Sequence, residues 1–85
     1  MRTSELTGAA LDWAVCVAEY GYGGDYKTNR YSTDWSYGGP IIERECIELH
    51  CWSMHSVPWG AWIDEEHHQH GPTPLIAAMR CYVAS

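Results

Sequence analysis

The sequence predicts an α+β fold: one small two-layer domain over 1–85, with N- and C-terminal helices packed on one face of a two- to three-stranded antiparallel sheet. Three observations carry this. Apolar residues near the start recur at helical spacing. Residues 41–52 and 59–63 alternate between apolar and polar. The segment after Gly71 opens with Thr73-Pro74, a helix start, and stays apolar to its end. Two terminal helices around a strand pair make a layered arrangement with the helices on one side.

The first helix is expected over 3–19. Thr3 or Ser4 can cap it, and Glu5 in the first turn meets the positive end of the helix dipole. Leu6, Ala10, Trp13, Val17 and Tyr20 form the expected buried stripe, with Ala9 and Cys16 beside it; Glu5, Asp12 and Glu19 lie off it. Gly21, Gly23 and Gly24 end the helix, and 20–30 reads as a loop. A third strand is expected over about 26–33. Gly21-Tyr-Gly-Gly24 follows a helix and has no Lys-Ser/Thr pair after it, so it does not read as a phosphate-cradling loop.

In 31–45, Asp34 or Thr33 is expected to cap a short turn holding Trp35. Gly38-Gly39 would act as a pivot and Pro40 would fix the approach to a strand over 41–52. That strand would place Ile47, Leu49 and Cys51 on one face, and Arg44, Cys46, Glu48 and His50 on the other. After a turn over 53–58, a strand over 59–63 puts Trp59, Ala61 and Ile63 on one face and Trp62 on the other. Residues 64–70 read as a polar loop. The last helix is expected from 74 to about 84, with Thr73 as cap and Pro74 at the first helical position, where its missing N–H costs nothing. Leu75, Met79, Tyr82 and Val83 form its apolar face, and Ala77 and Ala78 allow close packing.

Two blocks and an opening run resemble a known family. Tyr31-Ser-Thr-Asp-Trp-Ser-Tyr-Gly-Gly-Pro-Ile-Ile-Glu-Arg-Glu45 and Gly71-Pro-Thr-Pro-Leu-Ile-Ala-Ala-Met-Arg-Cys-Tyr-Val-Ala-Ser85 look like the hallmarks of the small NinX-like phage proteins, and Thr3-Ser-Glu-Leu-Thr-Gly-Ala-Ala-Leu-Asp-Trp-Ala-Val15 is similar too. The resemblance implies a phage or prophage origin and a place in the cytoplasm of an infected bacterium. It brings no activity and no catalytic residues.

Composition narrows the function classes. A net charge of −6, with Arg2, Lys27, Arg30, Arg44 and Arg80 scattered along the chain, argues against direct nucleic-acid binding, which rests on clustered cations. No stretch approaches the ~18 apolar residues of a membrane span, so no membrane partner is expected. Cys16, Cys46, Cys51 and Cys81 are spaced irregularly and read as free thiols. Five Trp and six Tyr, without Phe, exceed what a core of 85 residues hides, since a chain of this size buries only about 60–65% of its unfolded surface. Most of these rings carry a polar group suited to half-exposed positions.

The chemistry-bearing residues are weighed accordingly. His50, Cys51 and His55, with His67, His68 and His70, are the weak candidates for a zinc site; no C-x-x-C or H-x3-H pair supports it, and no cofactor is expected. Cys46 or Cys51 with His50 or His55 could make a thiolate–imidazole pair, but no third group orients it, and no enzyme is expected. Glu43 and Glu45, on one strand face about 7 Å apart, and Glu48, Asp64, Glu65 and Glu66 read as solvated charges guarding a sheet edge. Binding is the expected role. Trp52 and Trp62 lie on strand faces away from the helices, and exposed aromatics anchor interfaces. The partner would be an unidentified host or phage protein, or a second copy in a homodimer. The alternative is a nucleotide-like ligand stacked on Trp35 or Tyr37 over the N–H groups of Gly38 and Gly39.

Overall fold

The structure is a computed structural model that describes residues 6–21, 28–52 and 57–85. Six elements follow in order: α1 (Gly8–Tyr20), α2 (Trp35–Glu45), β1 (Glu48–Cys51), β2 (Trp59–Trp62), β3 (His68–Gly71) and α3 (Pro74–Ala84). The strands form one antiparallel sheet in the order β1-β2-β3. α3 lies across the sheet, and α1 and α2 pack on α3. The α+β architecture, a three-stranded antiparallel sheet covered by a helical layer that holds both terminal helices, is as expected.

α3 begins where Thr73-Pro74 places it: the Thr73 hydroxyl accepts from the Ile76 N–H at 3.2 Å. Leu75, Ala77, Ala78, Met79, Arg80 and Cys81 are all buried, so the helix is wrapped on most sides. Its alanines let backbones meet. A Cβ on Gly71 would fall 2.7 Å from the Ala77 nitrogen, so β3 must end in glycine there.

α1 starts later than expected, at Gly8 with Thr7 as its cap position, and does not keep its expected face. The proposed caps Thr3 and Ser4, and Glu5, lie outside the described residues; Thr7 precedes the helix in extended conformation. The buried residues are Leu11, Asp12, Val15 and Cys16, whereas Trp13 and Tyr20 are half exposed. The stripe is rotated because Asp12 has a partner twenty residues on. Its Oδ1 accepts from the Ser32 N–H at 2.8 Å and the Ser32 hydroxyl at 2.6 Å. Hydrogen bonds to a charged acceptor contribute about 1.5–3 kcal/mol each, enough to bring a carboxylate into the packed side.

The central motif corrects two expectations. Residues 41–45 are not strand; they close α2, and β1 starts only at Glu48. Gly38-Gly39 and Pro40 are helix interior, not a pivot and a strand approach. Asp34 does cap: its carboxylate accepts from the Ser36 N–H at 2.9 Å and hydroxyl at 2.7 Å, and these bonds hold its pKa below the usual carboxylate range. Helix is chosen against poor propensity because Gly38 and Ile41, three apart, are buried together and Ile42 packs on the core. A Cβ on Gly38 would collide with the Tyr31 carbonyl oxygen and the Leu75 side chain. α2 ends with Cys46 in the left-handed region (φ 54°), the Cys46 N–H reaching Glu43 O and the Ile47 N–H reaching Ile42 O at 3.0 Å. This pattern reverses the chain and brings buried Ile47 beside Ile42. Glu43 and Glu45 therefore sit on a helix, not on one strand face.

The expected third strand over 26–33 is also corrected. Residues 26 and 27 lie outside the described residues, and 28–33 are loop and turn. The third strand is β3, within the expected polar loop. Its composition, His68-Gln69-His70, hides it because it is an edge strand with one open face.

The three helices are tied at the surface. Arg44 of α2 forks onto the Glu19 carboxylate of α1, and the Tyr82 hydroxyl of α3 donates to Glu19 at 2.7 Å. Arg44 holds Glu19 below its usual pKa, against the opposing effect of burial. Burial, then the bond to Glu19, pushes Tyr82 up to about 12.

Two predictions follow from these contacts. The neighbouring glycines of α2 respond with opposite sign: Gly38→Ala destabilises by about 2–3 kcal/mol through overpacking, while Gly39→Ala, whose Cβ meets only Trp35 Cε3 at 3.8 Å, stabilises by about 0.5–1 kcal/mol; urea denaturation reads both. A tyrosine whose folded pKa is raised contributes stability that is complete below its unfolded value of 10.0 and lost as pH rises through about 12. Denaturation midpoints of wild type therefore fall more steeply over that window than those of Tyr82→Phe.

Candidate functional site

Alternation along the strands divides the sheet. In the register Glu48↔Trp62↔His68 and His50↔Gly60↔His70, these residues share the outer face. Leu49, Ala61 and Gln69 occupy the face toward α3, and Trp59 and Ile63 pack on the core there. Trp52 continues the outer row, its N–H donating to Pro58 O at 2.7 Å. The outer face is thus Glu48, His50, Trp52, Trp62, His68 and His70, built around Gly60.

The rings form a continuous layer. Trp52 meets Trp62 edge-on at 5.2 Å between centroids, and His50 lies 4.4 Å from Trp52. Trp62 stacks with His68 at 6.0 Å, and His70 lies 5.6 Å from Trp52. Gly60 makes this possible. A Cβ there would strike Trp52 Cζ3 and come within 2.9 Å of Trp62 Cη2. The two indoles close over the glycine and remain half-buried. Gly60 was not among the expected site residues, and His50, His68 and His70 were expected only as weak zinc candidates; an isolated glycine inside a strand flanked by tryptophans was the available signal.

At one end the layer opens into a concavity of about 680 Å³, lined by Cys46, Glu48, Leu49, His50, Trp52, Trp62, Ile63, Asp64 and Glu65. Its floor is aromatic and its rim acidic, and among the described residues no Lys or Arg lines it. Asp64 shapes the turn between β2 and β3. Its Oδ1 accepts from the Glu66 N–H at 2.9 Å and the His67 N–H at 2.8 Å, and the carboxylate pairs with His67 Nδ1 at 2.9 Å. These bonds, the His67 ring first, hold Asp64 below the usual carboxylate range. Glu48 and Glu65 are exposed on the rim.

Residues 2–85 match the family model described as Bacteriophage P22, NinX. The chain belongs to this family. No curated protein matches it. The match extends over both blocks that carried the resemblance, and it makes the outer sheet face part of a NinX-family phage protein.

The other expected site residues of this NinX-family chain lie elsewhere. Trp35 and Tyr37 stand on α2, each about half exposed, Tyr37 turning its ring edge to Tyr31 at 6.2 Å. Beside Trp35 is a smaller hollow of about 230 Å³ between residues 32–35 and the start of α3. The Gly38 N–H donates to Asp34 O at 3.0 Å within the helix. The structure thus unites Trp52 with Trp62 and keeps both apart from Trp35, Tyr37, Gly38 and Gly39.

Among the described residues, no three His, Cys, Asp or Glu side chains come together in a group that could hold a metal. His50 and His70 flank Gly60 from opposite strands, about 9–10 Å apart by strand spacing. His67 faces Asp64, Cys51 sits at the exposed β1 edge, and His55 lies outside the described residues. The four cysteines are free thiols; burial pushes Cys81 up, and its Sγ donates to His67 O at 3.2 Å. Among the described residues no helix is long and apolar enough to cross a membrane.

Gly60→Ala must lift one or both indoles. The expected result is a loss of about 1–3 kcal/mol in denaturant unfolding, with a changed near-UV circular dichroism spectrum as the ring layer rearranges.

Proposed function

We propose that this phage protein is a non-enzymatic accessory protein that acts in the cytoplasm of the infected bacterium by engaging a host or phage protein through its outer sheet face. The observation that carries the reading is the concavity at that face, where Trp52 and Trp62 are offered over an acidic rim while the opposite face of the sheet is covered by α3. Half-buried tryptophans beside a recess have the character of interface anchors: large, rigid and already partly desolvated. Glu48, Asp64 and Glu65 select against phosphate-bearing partners, consistent with a protein rather than a nucleic acid as the ligand. The ligand site around Trp35, Tyr37 and the α2 glycines has less support, since Gly38 is buried against Leu75 and its N–H is engaged in the helix.

Affinity purification from infected cells tests the reading. A partner recovered with wild type and with Trp35→Ala is expected to be depleted about tenfold or more with Trp52→Ala/Trp62→Ala, as for anchors contributing at least ~1.4 kcal/mol. Depletion by Trp35→Ala with full recovery by the sheet-face variant would place the contact on the helical layer instead.

A further inference from the structure

The outer face also carries information about what its partner must look like, and this inference rests on the protein-binding reading above. β1 is an edge strand of four residues, hydrogen-bonded to β2 alone within the sheet. The Trp52 N–H points to β2, so by alternation His50 and Glu48 bond inward while the N–H and C=O groups of Leu49 and Cys51 point off the other edge of β1, where no hydrogen bond meets them among the described residues. The concavity borders this strand: Leu49 and Glu48 line it on the β1 side, Trp62 and Ile63 on the β2 side. We propose that β1 accepts an extended segment of a partner protein as an added strand, and that an arginine of that segment, beside Glu48, enters the groove formed by Trp52, Trp62, Glu48 and Glu65.

The geometry and the charges select this occupant. A residue paired across from Glu48 on an added strand projects on the same side of the sheet, with Cβ atoms about 4.5–5.5 Å apart. A guanidinium there can lie against an indole and still fork onto a carboxylate, which a compact ammonium does less well. Among the described residues no Lys or Arg lines the groove to compete for its carboxylates. Arg44, the basic residue of the preceding helix, is held by Glu19 and Glu45, and Arg80 is buried. The same charges disfavour a second copy on this edge. Two β1 strands side by side would bring Glu48 and its acidic surroundings against their own kind in a chain of net charge −6. The main-chain pairs give such a segment its affinity, and the groove gives it the preference for a cation.

The probe is the peptide acetyl-Thr-Arg-Thr-Arg-Thr-Arg-amide, titrated into the full chain and followed by tryptophan fluorescence. Saturable binding is expected. The peptide with citrulline in place of arginine, and wild-type peptide against Glu48→Gln/Glu65→Gln, should each bind about tenfold or more weakly. N-methylation of alternate peptide amides should abolish binding through loss of the strand ladder. Both glutamates are exposed, so the variant is expected to unfold at the wild-type urea midpoint. Equal binding of the arginine and citrulline peptides overturns the proposal, as does binding indifferent to N-methylation. If no peptide binds while the cellular partner is still depleted by Trp52→Ala/Trp62→Ala, the arginine-strand inference falls and the protein-binding reading stands. If that partner is not depleted either, both fall.

Discussion

The close approach of α3 to everything around it is the constraint on which the structure depends. Six of its eleven residues are buried, and it touches the sheet, α1 and α2. This requires small groups at the points of nearest contact: Gly71 against the Ala77 backbone, and Gly38 of α2 against Leu75. It also places a cation inside. Arg80, almost wholly buried, donates from Nε to Leu6 O and from Nη1 to His70 O, each at 2.8 Å. One side chain of α3 thus pins both the approach to α1 and the edge strand β3. Burial lowers the Arg80 pKa, the two carbonyls engage its Nε and Nη1, and among the described residues no buried side-chain N or O lacks a partner.

With α3 occupying one face of the sheet, the other is left to the side chains of the strands themselves. A sheet of three four-residue strands cannot leave that face bare of packing, and the indoles of Trp52 and Trp62 supply it by closing over Gly60. The rings are therefore structural and available at once. They shield the thin centre of the sheet while presenting edges and faces to the adjoining groove. The division of labour is physical: the helical layer holds most of the buried core, and the proposed recognition falls to the ring layer and its acidic rim.

Much of this was legible from pattern. Thr73-Pro74 marks α3, the alternation read over 41–52 and 59–63 places Trp62 opposite the core, and Trp52 follows from the same parity, although only 48–51 and 59–62 are strand. The failures have identifiable causes. Asp12 was assigned outward because nothing local announces Ser32, its partner across the fold. Ile41-Ile42 reads as the start of a strand because Pro40 and the alternation after it favour one, yet the requirement for a gap at Leu75 overrides local pattern and propensity. β3 was hidden because an edge strand with histidines on its open face has the composition of a loop. The site was half legible for a related reason. Parity can say which face a tryptophan takes, but the meeting of Trp52, Trp62 and His50 around Gly60 depends on the register of β1 with β2.

The central claim is that recognition belongs to the outer sheet face and not to the helical layer. The indole N–H resonances of the tryptophans report on both layers in one spectrum. A ¹⁵N-labelled sample observed in cleared lysate of infected host cells, against the same sample in buffer, gives the direct comparison. The Trp52 and Trp62 signals are expected to shift or broaden while those of Trp13 and Trp35 keep their positions. Movement of Trp13 or Trp35 with Trp52 and Trp62 unchanged would contradict it.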